Sequence, residues 1–167
     1  MSETKTLVLN HKQILQKITR IAFEIYERNV SAEGVVFAGI SGMGHLFATL
    51  LAESLKEISP LEVELLEVKL DKTAIVQGTV TLSKNIDLKD KCLVIVDDVL
   101  NSGKTLAYAL KPFLEMPIHK MEIAVLVNRS HKLFPVMPDY TGFELSTTLN
   151  EHIEVDLSKD QYTVHLH

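Results

Sequence analysis

The chain has 167 residues, a hydrophobic fraction of 46%, a charged fraction of 23% and a formal charge of −5. That size suits one α/β or other globular domain over residues 1–167 with a sizeable core, and the acidic balance argues against nucleic acid as the main partner. Residues 1–10 carry Glu3 and Lys5 but no apolar core, no long apolar run follows, and Cys92 is the only cysteine, so no signal peptide, membrane span or internal disulfide is expected and a reducing cytoplasm fits.

Asn10 is placed to cap a helix. Ile14, Ile18, Ile21 and Ile25 follow at helical spacing, widened by Leu15 and Ala22, and predict an amphipathic helix packed on a core. Gly34 then precedes Val35-Val36-Phe37-Ala38-Gly39-Ile40, a short buried strand. The loop Ser41-Gly42-Met43-Gly44 leads into a helix over 45–58, with His45 placed either to contact a phosphate or to face solvent. Residues 61–70 predict another strand. Residues 71–90 are polar and weakly patterned, with a short strand over 79–82. A long irregular connection in a compact domain is often a functional lid.

Residues 91–110, KCLVIVDDVLNSGKTLAYAL, organise the chain. Leu93, Val94, Ile95 and Val96 form a strand buried on both faces, and Asp97 and Asp98 follow at once. The small polar loop Asn101-Ser102-Gly103-Lys104-Thr105 then opens a helix over 104–111, which Pro112 is expected to kink or end. Ligands bind at this carboxyl edge of open α/β sheets, and free N–H groups at a helix start favour a phosphate. The Gly-Lys-Thr ending is not a P-loop, because position 98 holds Asp where that motif needs Gly. A phosphate beside two carboxylates that can accept from hydroxyls describes a ribose 5-phosphate better than a polyphosphate. Cys92 reads as a buried small hydrophobe rather than a nucleophile.

A further strand covers 122–127, and 128–142 is turn-rich. Residues 162–166 alternate like an edge strand. His165 and His167 have metal-ligand spacing without partners, which reads as a frayed terminus. The repeated strand–loop–helix order predicts a doubly wound, mainly parallel sheet with both Gly-containing loops on one edge.

Residues 94–106 resemble the phosphoribosyl-pyrophosphate (PRPP) signature of the type I phosphoribosyltransferases. Residues 7–27, 35–51 and 123–142 extend the likeness to the pyrimidine operon attenuator (PyrR) family, whose members also act as uracil phosphoribosyltransferases. The resemblance implies that family's fold, an α/β doubly wound, mainly parallel open sheet with a small base-side hood. It implies transfer of phosphoribose from PRPP to a pyrimidine base, with uracil expected, and release of pyrophosphate. It places Asp97 and Asp98 on the sugar hydroxyls and Asn101, Ser102, Gly103, Lys104 and Thr105 on the 5-phosphate. Ser41, Gly42, Met43 and Gly44 would hold pyrophosphate, Lys72 would stand in for a loop arginine, and Asn128 and Arg129 would lie on the base side. Mg2+ would come with PRPP and water near Asp97 and Asp98, with no direct protein ligand. A homodimer or larger assembly is implied.

The chain departs from that family where Met43 replaces an arginine, Asp71-Lys72-Thr73 replaces Tyr-Arg-Asp, and Asn128 replaces an aspartate. Lysine supplies charge without a bidentate fork. A PRPP or nucleotide sensor with little turnover is therefore the rival expectation. RNA is a weaker one, since the family's RNA contacts use a basic surface. Asn101 has no titratable group to serve as the base that purine-specific relatives place there.

Overall fold

The computed structural model describes residues 4–73 and 78–167. The lid expected over 71–90 falls partly on residues 74–77, which lie outside the described residues. In chain order the elements are β1 (Thr6–Leu9), α1 (His11–Arg28), β2 (Gly34–Ile40), α2 (Met43–Ile58), β3 (Glu62–Lys69), β4 (Thr81–Leu82), β5 (Lys91–Leu100), α3 (Lys104–Leu114), β6 (Lys120–Asn128), β7 (Tyr140–Glu144), β8 (Ile153–Asp156) and β9 (Thr163–Leu166).

Six strands form one sheet in the order β4-β3-β2-β5-β6-β7. Every neighbouring pair is parallel except β3 with β4. Side chains alternate across it. Val35, Phe37, Val94 and Val96 pack with α1 and α2, whereas Val36, Ala38, Leu93 and Ile95 pack with α3. Helices cover both faces, which is the doubly wound arrangement expected, and both predicted loops leave the carboxyl edge. A second sheet, β1-β9-β8, is antiparallel and forms a hood. Its Leu9, Val155 and Val164 join the core on the side of α1 and α2.

The start of α1 shows why its sequence folds there. Asn10 Oδ1 accepts from Gln13 N–H and Gln13 Oε1 accepts from Asn10 N–H, each at 2.9 Å. This capping box satisfies donors that helix formation would leave open. Ile14, Ile18, Ile21, Ala22 and Ile25 are buried, but Leu15 points outward.

Several expectations are corrected. Helix α3 runs through Pro112 to Leu114. Met43 and Gly44 belong to α2, so the first loop is only Ser41-Gly42. The acidic pair lies inside β5, which continues to Leu100 against β6 after its pairing with β2 stops at Val96. The strand expected over 79–82 is two residues long. Gly142 sits within β7, not in a turn. Strand β9 is central in the hood, and the backbone groups of His167 pair with those of His152, so the tail is tied down.

Candidate active site

Where β5 outruns β2, its last residues gain an open side at the sheet's carboxyl edge. A cavity of about 380 Å³ lies there, walled by Lys72, Asp97, Asp98, residues 99–106 and Ile153 of the hood. It unites the acidic pair, the whole loop from Asn101 to Thr105, and the lysine expected from the β3–β4 connection. Ser41, Gly42, Met43, Gly44, Asn128 and Arg129 do not line it.

Asp97 is 2% exposed. Its Oδ1 accepts from Asp98 N–H and from Lys72 Nζ, each at 2.9 Å, and Lys72 stands 3.7 Å from Asp98. Burial and then the Asp98 charge raise the Asp97 pKa, and Lys72 opposes them only in part. Burial pulls the Lys72 ammonium down, but the two carboxylates outweigh it and hold its pKa above the ordinary value. Two carboxylates thus share one close ammonium.

Helix α2 begins against this pair. A Cβ at Gly44 would lie 2.8 Å from Asp97 Oδ1 and 3.1 Å from Val96 O, so only glycine lets the helix approach so closely. Ser41 N–H and Oγ both donate to Val68 O at 2.9 Å, which fixes the loop to the end of β3. The Met43 side chain turns to the hood, where its Sδ accepts from Leu157 N–H at 3.4 Å. His45 is half-buried, and its Nδ1 is buried with no hydrogen-bond partner among the described residues.

The loop before α3 is shaped by Gly103, whose φ of 88° lies in the left-handed region. Ser102 O accepts from Leu133 and Phe134 N–H, and Ser102 Oγ accepts from Lys104 N–H. Gly103, at the N-cap of α3, has no side chain to cap the N–H groups that follow Lys104. The helix's N-terminal dipole and N–H groups therefore favour an anion at the cavity.

Asn128 is buried at the end of β6, and its Oδ1 accepts from Ser130 N–H. Arg129, next along, reaches Asn101, Thr147, Thr148 and Glu151, a convergence that sequence spacing does not display. The register Leu100↔Asn128 of parallel β5 and β6 is what brings these residues together.

At the opposite edge, Glu122 accepts from Asn29 Nδ2, Cys92 Sγ and the Tyr140 hydroxyl. Burial pushes the Cys92 thiol up, so it is a poor nucleophile.

Among the described residues, no group of three or more His, Cys, Asp or Glu could hold a metal alone. Two carboxylates beside one cavity do suit Mg2+, which keeps several waters and takes substrate phosphate oxygens. Among the described residues no helix is long and apolar enough to cross a membrane.

Residues 6–161 match the family model of the phosphoribosyl transferase domain. The bifunctional protein PyrR of Bacillus cereus (strain AH820) is 34% identical over 169 residues, 94% of this chain and 93% of that one. PyrR of Clostridium kluyveri is 32% identical over 162 residues, 93% and 92% of the two chains. A crystal structure of a hypoxanthine-guanine phosphoribosyltransferase from Bacillus anthracis superposes with a TM-score of 0.68 at 21% identity, over 87% of this chain and 85% of that one. Trypanosoma cruzi hypoxanthine phosphoribosyl transferase gives 0.74 at 14% identity, over 85% and 78%. At these identities the structural likeness speaks to the fold.

Proposed function

The chain belongs to the phosphoribosyl transferase domain family, and from that premise we propose that it moves phosphoribose from PRPP to a pyrimidine base, uracil, releasing pyrophosphate. The observation that carries this is one cavity joining the acidic pair, Asp97 buried and Asp98 half-buried, to a helix start whose N-cap Gly103 has no side chain. Asp97 and Asp98 accept from the ribose hydroxyls, directly or through water. The N–H groups of Ser102, Gly103, Lys104 and Thr105, with the Ser102 and Thr105 hydroxyls, hold the 5-phosphate, and Asn101 opens that loop. Gly42, Met43 and Gly44 offer the leaving pyrophosphate their backbone N–H groups, on a loop that Ser41 fixes to the end of β3. Lys72 supplies the loop's positive charge. Asn128 and Arg129 back the base side.

The carboxylate pair suits Mg2+ held through PRPP oxygens and water. When bound, Mg2+ supplies charge neutralisation on the pyrophosphate. The protein's own contribution is positioning: the N–H groups fix the phosphate, the carboxylates fix the sugar, and the anomeric carbon is left facing the base. A homo-oligomer in the cytoplasm is part of the same proposal.

The second reading is a PRPP or nucleotide sensor with little turnover. It is favoured by Met43, which brings no charge to the first loop and docks on the hood instead. Purified protein incubated with PRPP, Mg2+ and a panel of bases separates the two. Pyrophosphate release with uracil supports the enzyme, whereas tight PRPP binding without release from any base supports the sensor.

A further inference from the structure

Helix α1 is amphipathic, yet its outward face is not wholly polar. Ile14, Ile18, Ile21, Ala22 and Ile25 are buried, whereas Leu15 and Phe23 stay 42% and 47% exposed. Lys12, Gln16, Thr19, Phe23 and Glu27 follow at spacings of four, three, four and four, which sets them on one outward stripe with Leu15 at its flank. Two features of that stripe fit each other. An open hollow lies along its first half, with Leu15, Gln16 and Thr19 in the lining. Phe23 stands exposed on its second half.

The polar groups around the hollow are already occupied or turned aside. Thr19 Oγ1 donates back to Leu15 O at 3.0 Å. The Arg20 guanidinium donates to Glu24 Oε1 at 3.2 Å, and to Thr141 O and Gly142 O of β7 at 3.0 Å and 2.8 Å. Lys12 at one end of the stripe and Glu27 at the other are exposed, and neither has a charged partner among the described residues.

We propose that this face of α1 is covered by the same face of a second copy of the chain, in an antiparallel pair with its two-fold axis between Thr19 and Arg20. That axis sets Phe23 of each copy against the hollow beside Gln16 of the other. It sets Lys12 of each against Glu27 of the other, so both ends of the pair join opposite charges. A two-fold contact must be self-complementary, and here hollow and ring occur on one surface. A parallel pair would set Lys12 against Lys12 and Glu27 against Glu27. A nucleic acid would meet the Glu24 and Glu27 carboxylates on the same helix. A helix of 18 residues is about 27 Å long and about 10 Å across, so the contact lies at the low end for a specific interface and the pair should dissociate on dilution. The inference rests on the homo-oligomer included in the proposed function and gives it a contact. Among the described residues, none of α1 lines the cavity at the carboxyl edge, so each copy keeps its own site.

The test measures mass by sedimentation velocity across protein concentrations. It uses the full chain as wild type and with Phe23→Glu, Lys12→Glu, Glu27→Lys and the two charge reversals combined. Phe23→Glu should raise the dissociation constant of the pair at least about tenfold, because a ring at the centre of the contact gives way to a charge. Each charge reversal should weaken the pair, and the combined reversal should restore it, which misfolding cannot imitate. Thr19→Cys, beside the axis, should link two chains when oxidised with diamide, whereas Cys92 is buried and leaves the wild type unlinked. A wild type that stays monomeric overturns the inference and the homo-oligomer together, while pyrophosphate release still decides the transfer reading. An oligomer unaltered by Phe23→Glu and by both single reversals overturns the inference alone and leaves the homo-oligomer to another face. A combined reversal no tighter than the single ones overturns it as well. So does a monomer that binds labelled single-stranded RNA and loses it in Lys12→Glu, which would assign the face to nucleic acid.

Discussion

Lys72 Nζ lies 2.9 Å from Asp97 Oδ1, so an ammonium from the connection after β3 sits against a carboxylate at the carboxyl end of β5. The contact brings a lysine to the one place where two carboxylates crowd each other. Sugar hydroxyls and Mg2+-bound water that enter there must share Asp97 with Lys72 or displace it.

Asp97→Asn with Asp98→Asn should abolish Mg2+-dependent PRPP binding while leaving the unfolding midpoint near that of wild type, since Asn keeps the shape of each side chain. Calorimetry and thermal unfolding check both. The pH dependence has a definite sign. The Asp97 pKa is raised in the fold to about 8, so the ligand-free protein holds its proton longer than the unfolded chain. This group's stabilisation is complete below the ordinary carboxylate range and declines as pH rises to about 8. Mg2+–PRPP binding needs the ionised form, so it should tighten across that window and release a proton. Titrations in two buffers of different ionisation enthalpy would detect that proton, and their agreement would show Asp97 to be ionised beforehand.

Gly44→Ala should weaken PRPP binding although no side chain is removed. The added Cβ would sit 2.8 Å from Asp97 Oδ1 and 3.1 Å from backbone at Val96 O, so α2 or the carboxylate must move. Overpacking of this kind costs about 1–3 kcal/mol. Urea unfolding reads the cost, and an unmoved PRPP affinity would show that Asp97 tolerates the shift.

Met43→Arg with Lys72→Arg should raise uracil turnover more than it tightens PRPP. A charged donor aimed at charge that develops on the leaving group is worth on the order of 3 kcal/mol, or roughly a hundredfold in rate. The new arginine gives up the contact from Leu157 N–H to Met43 Sδ, so a small fall in the unfolding midpoint should accompany the gain. Single-turnover kinetics separate chemistry from binding, and a rise confined to PRPP affinity would count against the argument.

Glu122→Gln should flatten the acid side of the stability profile. Burial pushes the Glu122 pKa up, but hydrogen bonds from Asn29, Cys92 and Tyr140 and the Lys120 charge overcome it and the pKa stands lowered. Its contribution is therefore present above the unfolded pKa and lost as pH falls through the folded one. Arg28 and Lys120 are themselves half-exposed, so the loss of the charge and of its strengthened hydrogen bonds should cost about 1–2 kcal/mol at neutral pH, measured by urea unfolding there and in acid.

The sheet and the heart of the cavity were legible because their signals are local. The apolar run Leu93–Val96, two aspartates and a small polar loop are contiguous, so strand, charge and helix start could be read from neighbours in sequence. The hood strands β1 and β8 were not legible, since four residues carry too little periodicity and their partner β9 lies at the other end of the chain or across a turn. Pro112 misled because, although it removes one N–H bond to the turn before and its ring crowds that turn, packing of Phe113 in the core keeps the helix going to Leu114. Arg129 was placed beside the base by resemblance alone. Its bond to Asn101 spans 28 residues and follows from parallel register, which no local pattern carries.

The hood also sets an order of events during synthesis. Strand β9 lies between β1 and β8, and Tyr162 N–H donates to His11 Nδ1 across 151 residues of chain. When β5, α3 and β6 have left the ribosome, the acidic pair and the phosphate loop can already assemble on the sheet. Ile153 cannot yet close its wall, because the strand that anchors β8 has not been made. A nascent chain therefore holds the loop side of the cavity before its roof, and β9, which follows β8 in the chain, completes the chamber.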